Sequence, residues 1–337
     1  MAGKSKRSVV TAVAAGAVLL VAVMAWTNRN YIDSYLTNDI GAPEVTAEAR
    51  QVGIDAGELM PELEREFDAE PEAEAEGELK GESERELEVS PVRIAVAGDV
   101  GTGEAEAYRT AEVMDSLDQQ YEFAALLLLG DNIYPEGEID QLQEKLLDPF
   151  APVLDGDTRL LPVLGNHDVD YGYREAQIEA FSMPGAWYSE MIGENTLFIG
   201  LDSNQADNPE QLVFLEDLLK GERPAWTIVT MHHPAFSAGH HGDEPSVQKY
   251  FVPLFEKYGV TLVLAGHDHD YQRSVPINGI TYVVSGAAAY LRPAGRNEFT
   301  EVSWSTYSFV DLVVYPDRIE AQAIDHEGRA IDSFDLR

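Results

Sequence analysis

Five short apolar runs in this chain each stop at a side chain that can bind a metal, and this recurrence constrains the fold more than any other feature. Residues 92–97 (VRIAVA) run into Gly98-Asp99, 123–129 (FAALLLL) into Gly130-Asp131, and 160–164 (LLPVL) into Gly165-Asn166. Residues 226–231 (WTIVTM) run into His232, and 260–265 (VTLVLA) into Gly266-His267. Uninterrupted apolar runs of this length are expected for strands covered on both faces. A sixth run, 197–201, ends in Asp202. Helical stretches are expected between them over 104–117, 140–147, 209–219 and 247–258. The third has Asn208 as N-cap, Pro209 at its first position and Gly221 past its end; Gly259 stops the fourth. Alternating strands and helices predict α/β layers. Further strands at 280–284, 307–314 and 318–323, the last two joined at Pro316-Asp317, suggest a second, partly antiparallel sheet packed on the first.

Ahead of these runs the chain has a different character. Lys4, Lys6 and Arg7 precede an uncharged stretch, 9–26. Its length approaches the roughly 20 residues that span a bilayer. It is expected to be a transmembrane anchor, behind a basic cytoplasmic flank over 1–8, or a signal peptide. Either puts the remainder outside the cytoplasm, membrane-anchored or secreted. Residues 27–90 are read as a disordered, extended acidic tether: 31–90 hold 19 acidic and four basic side chains. The folded domain is expected to occupy 91–337.

Composition removes several classes of function. The 337 residues contain no cysteine, which excludes disulfides, thiolate metal sites and a cysteine nucleophile. The net charge of −37 opposes binding to a nucleic-acid duplex. What remains is the chemistry of the strand ends. Asp99, Asp131, Asn166, His232 and His267 are all potential metal ligands, and His269 adds another if the backbone stays extended, on the same face as His267. Ligands in α/β folds gather at the carboxyl ends of strands.

The strings around these positions are Gly98-Asp99-Val100-Gly101, Gly130-Asp131-Asn132-Ile133-Tyr134, Gly165-Asn166-His167-Asp168, Val229-Thr230-Met231-His232 and Gly266-His267-Asp268-His269. In that order they resemble the five blocks of the calcineurin-like metallophosphoesterase superfamily. Tyr134, three residues after Asp131, resembles the purple acid phosphatase branch, and the size is similar to its small, tartrate-resistant type. The likeness covers roughly 91–325. It implies a four-layer α/β/β/α sandwich of two mixed sheets, with a binuclear metal centre at the carboxyl ends of the strands. By this resemblance Asp99, Asp131, Tyr134 and His269 hold Fe(III). Asp131, Asn166, His232 and His267 hold a divalent ion: iron, zinc or manganese. The donor types agree, since hard Fe(III) favours carboxylate and phenolate oxygen.

The implied reaction is hydrolysis of small phosphate esters, foremost monoesters, by a hydroxide that the metals activate. Two ions about 3.5–4 Å apart clamp the phosphate oxygens. His167 is the expected proton donor to the leaving group, with Asp168 orienting it or a ligand histidine. His241, assisted by His240, is expected to face substrate. His233 is expected to shape its loop, Asp202 and Asn204 to be structural, and Tyr271 and Arg273 to line the pocket rim. Two alternatives stay open. One is a phosphodiesterase or nucleotidase on the same site; the other is a membrane-tethered metal-binding module without catalysis.

Overall fold

The computed structural model describes residues 91–337. The flank, the anchor or signal segment and the tether, 1–90, lie outside the described residues. Among the described residues no helix is long and apolar enough to cross a membrane.

Thirteen strands are present among the described residues. They are β1 (Val92–Ala97), β2 (Ala125–Leu128), β3 (Arg159–Pro162), β4 (Tyr188–Ile192), β5 (Thr196–Gly200), β6 (Trp226–Thr230) and β7 (Leu262–Ala265), followed by β8 (Tyr271–Ser274), β9 (Thr281–Ser285), β10 (Thr300–Trp304), β11 (Ser308–Val314), β12 (Ile319–Asp325) and β13 (Ala330–Leu336). They form a six-stranded sheet, β13-β12-β11-β1-β2-β3, and a seven-stranded sheet, β10-β8-β9-β7-β6-β5-β4. In the first, β1, β2 and β3 are mutually parallel; in the second, β5, β6, β7 and β9 are. Antiparallel strands extend one side of the first sheet and both sides of the second.

Alternation along the strands builds the layers. On β1 and β2, Ile94, Val96, Ala125 and Leu127 face one way. They pack with Phe198, Ile228, Leu262 and Leu264 of the other sheet to form the inter-sheet core. Ala95, Ala97, Leu126 and Leu128 face the other way, onto Ala107, Ala111 and Met114 of the helix Ala105–Asp118 and onto Phe150 and Val153. Across the second sheet, Leu197, Ile199, Val229 and Val263 pack on Leu215, Leu219, Val247 and Phe255 from its helices. The result is a helix–sheet–sheet–helix sandwich, and it explains why the parallel strands show no polar face in the sequence. Each fully buried Leu, Ile or Phe contributes about 1.5–3 kcal/mol.

Several expectations need correction. The late strands do not form a sheet of their own. β9 joins β7 in the seven-stranded sheet, whereas β11 and β12 extend the six-stranded one by pairing beside β1. Strand propensity does not encode the edge at which a strand docks. The helix expected over 140–147 is a 3₁₀ turn (Ile139–Gln141) and a π turn (Gln143–Leu147); the α-helix comes after them, over Asp148–Leu154. The helix expected over 247–258 is two, Pro245–Tyr250 and Val252–Tyr258, because Pro253 cannot continue the first. By contrast Asn208 accepts from the Glu210 and Gln211 amides, capping the helix Pro209–Lys220.

Candidate metal centre

At the carboxyl ends of the parallel strands the chain turns sharply. Asp99, Asp131 and His267 have φ of 59°, 52° and 71°. Left-handed backbone costs a non-glycine residue on the order of 1 kcal/mol or more and is concentrated at functional sites. Neighbouring loops hold it in place. The Asp99 amide donates to Gly130 O (3.1 Å), Gly266 N to His232 O (3.0 Å), and the His267 amide to Asp99 Oδ2 (2.9 Å). Close approach also needs glycine. A Cβ on Gly130, whose φ is +89°, would meet His232 Nδ1 and the Gly165 amide at 2.7 Å.

Two clusters result. In the first, Tyr134 Oη lies 2.9 Å from Asp99 Oδ1, 2.9 Å from Asp131 Oδ2 and 3.2 Å from His269 Nε2. His269 Nε2 is 3.3 Å from Asp99 Oδ1. All four side chains are buried. Burial, then the neighbouring carboxylate of Asp99, pushes Asp131 well above the usual carboxylate range. Burial and the same two carboxylates push Tyr134 far up as well. Burial opposes ionisation of Asp99 too, but the His269 hydrogen bond and the nearby histidines leave it below its ordinary value.

The second cluster is nitrogen-rich. His232 Nε2 sits 3.0 Å from Asn166 Oδ1, 3.1 Å from His267 Nδ1 and 3.4 Å from Asp131 Oδ1. His232 Nδ1 is 2.9 Å from Leu129 O, so that nitrogen carries the proton and Nε2 presents a lone pair. A lone pair facing the Asn166 carbonyl oxygen at 3.0 Å is repulsive unless a cation lies between them. Burial pushes His232 and His267 down to about 3, so both are neutral and available as donors. His233 joins the group, within 4.8 Å of the donor atoms of His232 and His267, while its Nδ1 pairs with Ser203 Oγ. Asp131 faces both clusters. The donors, oxygen-rich on one side and nitrogen-rich on the other, fit a binuclear metal centre. His267 and His269 do not share an extended face, as the sequence suggested. The turn at His267 sends the two rings into different clusters.

Around the clusters the expected catalytic groups separate. The His167 amide donates to Asp131 Oδ1 (3.0 Å), and its ring lies 4.6 Å from that of Tyr134. His241 packs 4.2 Å from the His267 ring, and His240 touches His241 from outside. Asp168 orients neither His167 nor a ligand histidine through its side chain. Its buried carboxylate accepts from the amides of Asn132, Ile133 and Gly165 and from the side chains of Asn132 and Gln177. It staples the second strand-end loop to the third. Asp168→Ala would strand several buried donors and is expected to cost about 3–5 kcal/mol. Urea denaturation checks this, and a loss under 1 kcal/mol would refute the staple.

Tyr271 and Arg273 are engaged away from the two clusters. Both reach Asp332, and the Arg273 guanidinium covers the Phe334 ring. Asp202 and Asn204 hold each other, with Asp202 also paired to Arg174 and Asn204 bonded to Leu164 O. Sequence reasoning missed three neighbours of the site. Tyr290 stacks on His269 (5.1 Å between ring centres, 18°) and meets Tyr134 edge-on at 4.7 Å. Arg292 Nη1 lies 2.7 Å from His241 Nε2. Buried Asp268 accepts from Ser237 Oγ and from the His241 and Gly242 amides, fixing the loop that carries His241. Only the adjacency of Asp268 to His267 and His269 offered a signal.

The comparisons with known proteins agree with this geometry. The calcineurin-like phosphoesterase family model matches residues 92–271. Human tartrate-resistant acid phosphatase type 5 is 30% identical over 207 residues, which are 51% of this chain and 63% of that protein, so the match spans just under two thirds of the relative's length. A purple acid phosphatase from yellow lupin (Lupinus luteus) seeds shares the fold, with a TM-score of 0.64 at 20% identity over 73% of this chain and 53% of that one. GAP50, the anchor in the inner membrane complex of Plasmodium, does so with a TM-score of 0.66 at 17% identity over 74% and 89%. Strand-end blocks, layered fold and sequence match converge, and the chain belongs to the calcineurin-like phosphoesterase family, related to its purple acid phosphatase branch.

Proposed function

We propose that this chain is a phosphomonoesterase acting through two cations held by Asp99, Asp131, Tyr134, His269, Asn166, His232 and His267. The observation that carries the reading is the facing of acceptors in the second cluster, His232 Nε2 against Asn166 Oδ1, beside three buried acidic oxygens in the first. The oxygen-rich cluster suits Fe(III) and the nitrogen-rich one divalent iron, zinc or manganese. When bound, the pair supplies Lewis-acid charge for the phosphate oxygens and acidifies the attacking water.

The side chains do the remainder. Asp131 directs one oxygen at each cluster and so fixes their separation. His232 and His267, kept neutral by burial, hold their lone pairs toward the centre. His167 Nδ1 lies 2.5 Å from Pro135 O, which requires the proton at Nδ1 and leaves Nε2 as the nitrogen available to a substrate. A proton carried on Nε2 passes to the leaving oxygen. His167→Ala is expected to cost about 10²–10⁴ in kcat on alkyl phosphates. On nitrophenyl phosphate, whose leaving group needs no proton, the loss is expected to be far smaller. Equal losses on both would contradict the proton-donor role.

Monoester preference draws support from the acid phosphatases that the chain resembles. It is tested by comparing phenyl phosphate with diphenyl phosphate on the full chain purified with its metals. Faster monoester hydrolysis is expected; dominant diester cleavage overturns the reading. The proposal extends to location. Residues 9–26 anchor or export the chain, 27–90 act as a charged spacer, and 91–337 work outside the cytoplasm. Separation of membrane from soluble fractions distinguishes anchor from exported form.

A further inference from the structure

The chain has 60 acidic and 23 basic side chains, and an arginine without a carboxylate partner is conspicuous in it. Among the described residues Arg292, like Arg223 and Arg296, forms no ion pair with an Asp or Glu, whereas Arg93, Arg174 and Arg273 are all paired. Arg292 is also fixed next to the metal centre. Its amide donates to His269 O (2.8 Å) and its carbonyl accepts from Ser305 Oγ (2.8 Å). Of its side-chain nitrogens, Nη1 is engaged, 2.7 Å from His241 Nε2. An arginine donates only, so His241 Nε2 acts as acceptor and the ring keeps its proton at Nδ1. A guanidinium carries five N–H donors. Four remain for a ligand.

The packing sets the order outward from the centre: His267, then His241 tilted against it with ring centres 4.2 Å apart, then Arg292. The guanidinium thus lies one side chain beyond His241 from His267, on the side where a group attached to the phosphate could reach it. Tyr290, 42% exposed and stacked on His269, stands on the same loop. A planar fork of donors matches a carboxylate or phosphate with two parallel hydrogen bonds. Placed in an otherwise acidic molecule, it selects for anionic ligands where the surrounding field would repel them.

We propose that Arg292 binds a second anionic group on the leaving portion of the substrate, so that this site favours phosphate monoesters bearing a further carboxylate or phosphate. The inference rests on the phosphomonoesterase reading above. Glycerol 3-phosphate and 3-phosphoglycerate form a matched pair that differs by one carboxylate. With the full, metal-loaded chain, kcat/KM is expected to be higher for 3-phosphoglycerate. Arg292→Gln is expected to lower that value about 10- to 100-fold, mainly through KM, with a loss of only a few fold on glycerol 3-phosphate. Arg292→Lys, which keeps the charge without the fork, is expected to fall between the two and guards against a misfolded variant. Hydrolysis of both esters with no preference, or equal losses on both in Arg292→Gln, overturns the anion site and leaves the phosphomonoesterase reading standing. Hydrolysis of neither by the wild-type chain overturns both.

Discussion

Asp131→Ala is expected to lower kcat/KM for any phosphate ester about a thousandfold or more, a change of about 4 kcal/mol in transition-state stabilisation. Asp131 offers one carboxylate oxygen to each cluster. Asp131 Oδ2 accepts from Tyr134 Oη, while Oδ1 accepts from the His167 amide and lies 3.4 Å from His232 Nε2. Alanine removes a charge from the oxygen-rich cluster and the oxygen that the nitrogen-rich cluster shares with it. It also releases the His167 amide, and with it the turn that presents the proposed proton donor. The metal content should fall together with turnover. Assay alongside elemental analysis checks this; a variant within tenfold of wild type would show that Asp131 does not join the two clusters.

Stripping the metals is expected to lower Tm by about 8–16 °C. A ligand held at a thousand times its Kd stabilises the fold by about 4 kcal/mol, and a domain of this size shifts by about 2–4 °C per kcal/mol. The shift has a pH dependence with a definite sign. Without a cation, burial and then the neighbouring Asp99 carboxylate push Asp131 and Tyr134 up, so both hold their protons to higher pH than usual. Metal binding must displace those protons, and apparent affinity therefore rises with pH. The Tm difference between loaded and chelated chain should be larger at pH 7 than at pH 5. Calorimetry at both values measures it, and superimposable transitions at either would contradict a cation-supported core.

The sequence carried the centre more legibly than its surroundings. A buried parallel strand reads as an unbroken apolar run, and the residue that ends it lies at the sheet's carboxyl edge, so Asp99, Asp131, Asn166, His232 and His267 could be grouped without coordinates. Two of the antiparallel strands could not be read in the same way. Tyr271–Ser274 (YQRS) and Ala330–Leu336 (AIDSFDL) mix buried polar and exposed apolar positions, because what they pack against is set by tertiary contacts and not by period. Arg273 shows the consequence. Its place just after the histidine block suggested the pocket, but the strand carries it to Asp332 and Phe334 instead.

Arg292 shows the converse. It lies in an aperiodic loop far from every block, and only folding brings it against His241. Asp168 lies inside a block, a position that suggests a partner of His167, yet its five hydrogen-bond donors come from residues that the sequence could not rank. Position in a motif identified which residues converge. It did not identify which of them would touch a substrate and which would hold the loops.

The most direct measurement is the metal content per chain of the purified full-length protein, followed together with phosphomonoester turnover as the metals are titrated out. Two ions per chain are expected, with iron among them and a visible band that Tyr134→Phe removes. Activity should disappear as the ions leave and return when they are restored. Full turnover in a sample holding well under one ion per chain would contradict the proposal that paired cations at these strand ends perform the hydrolysis.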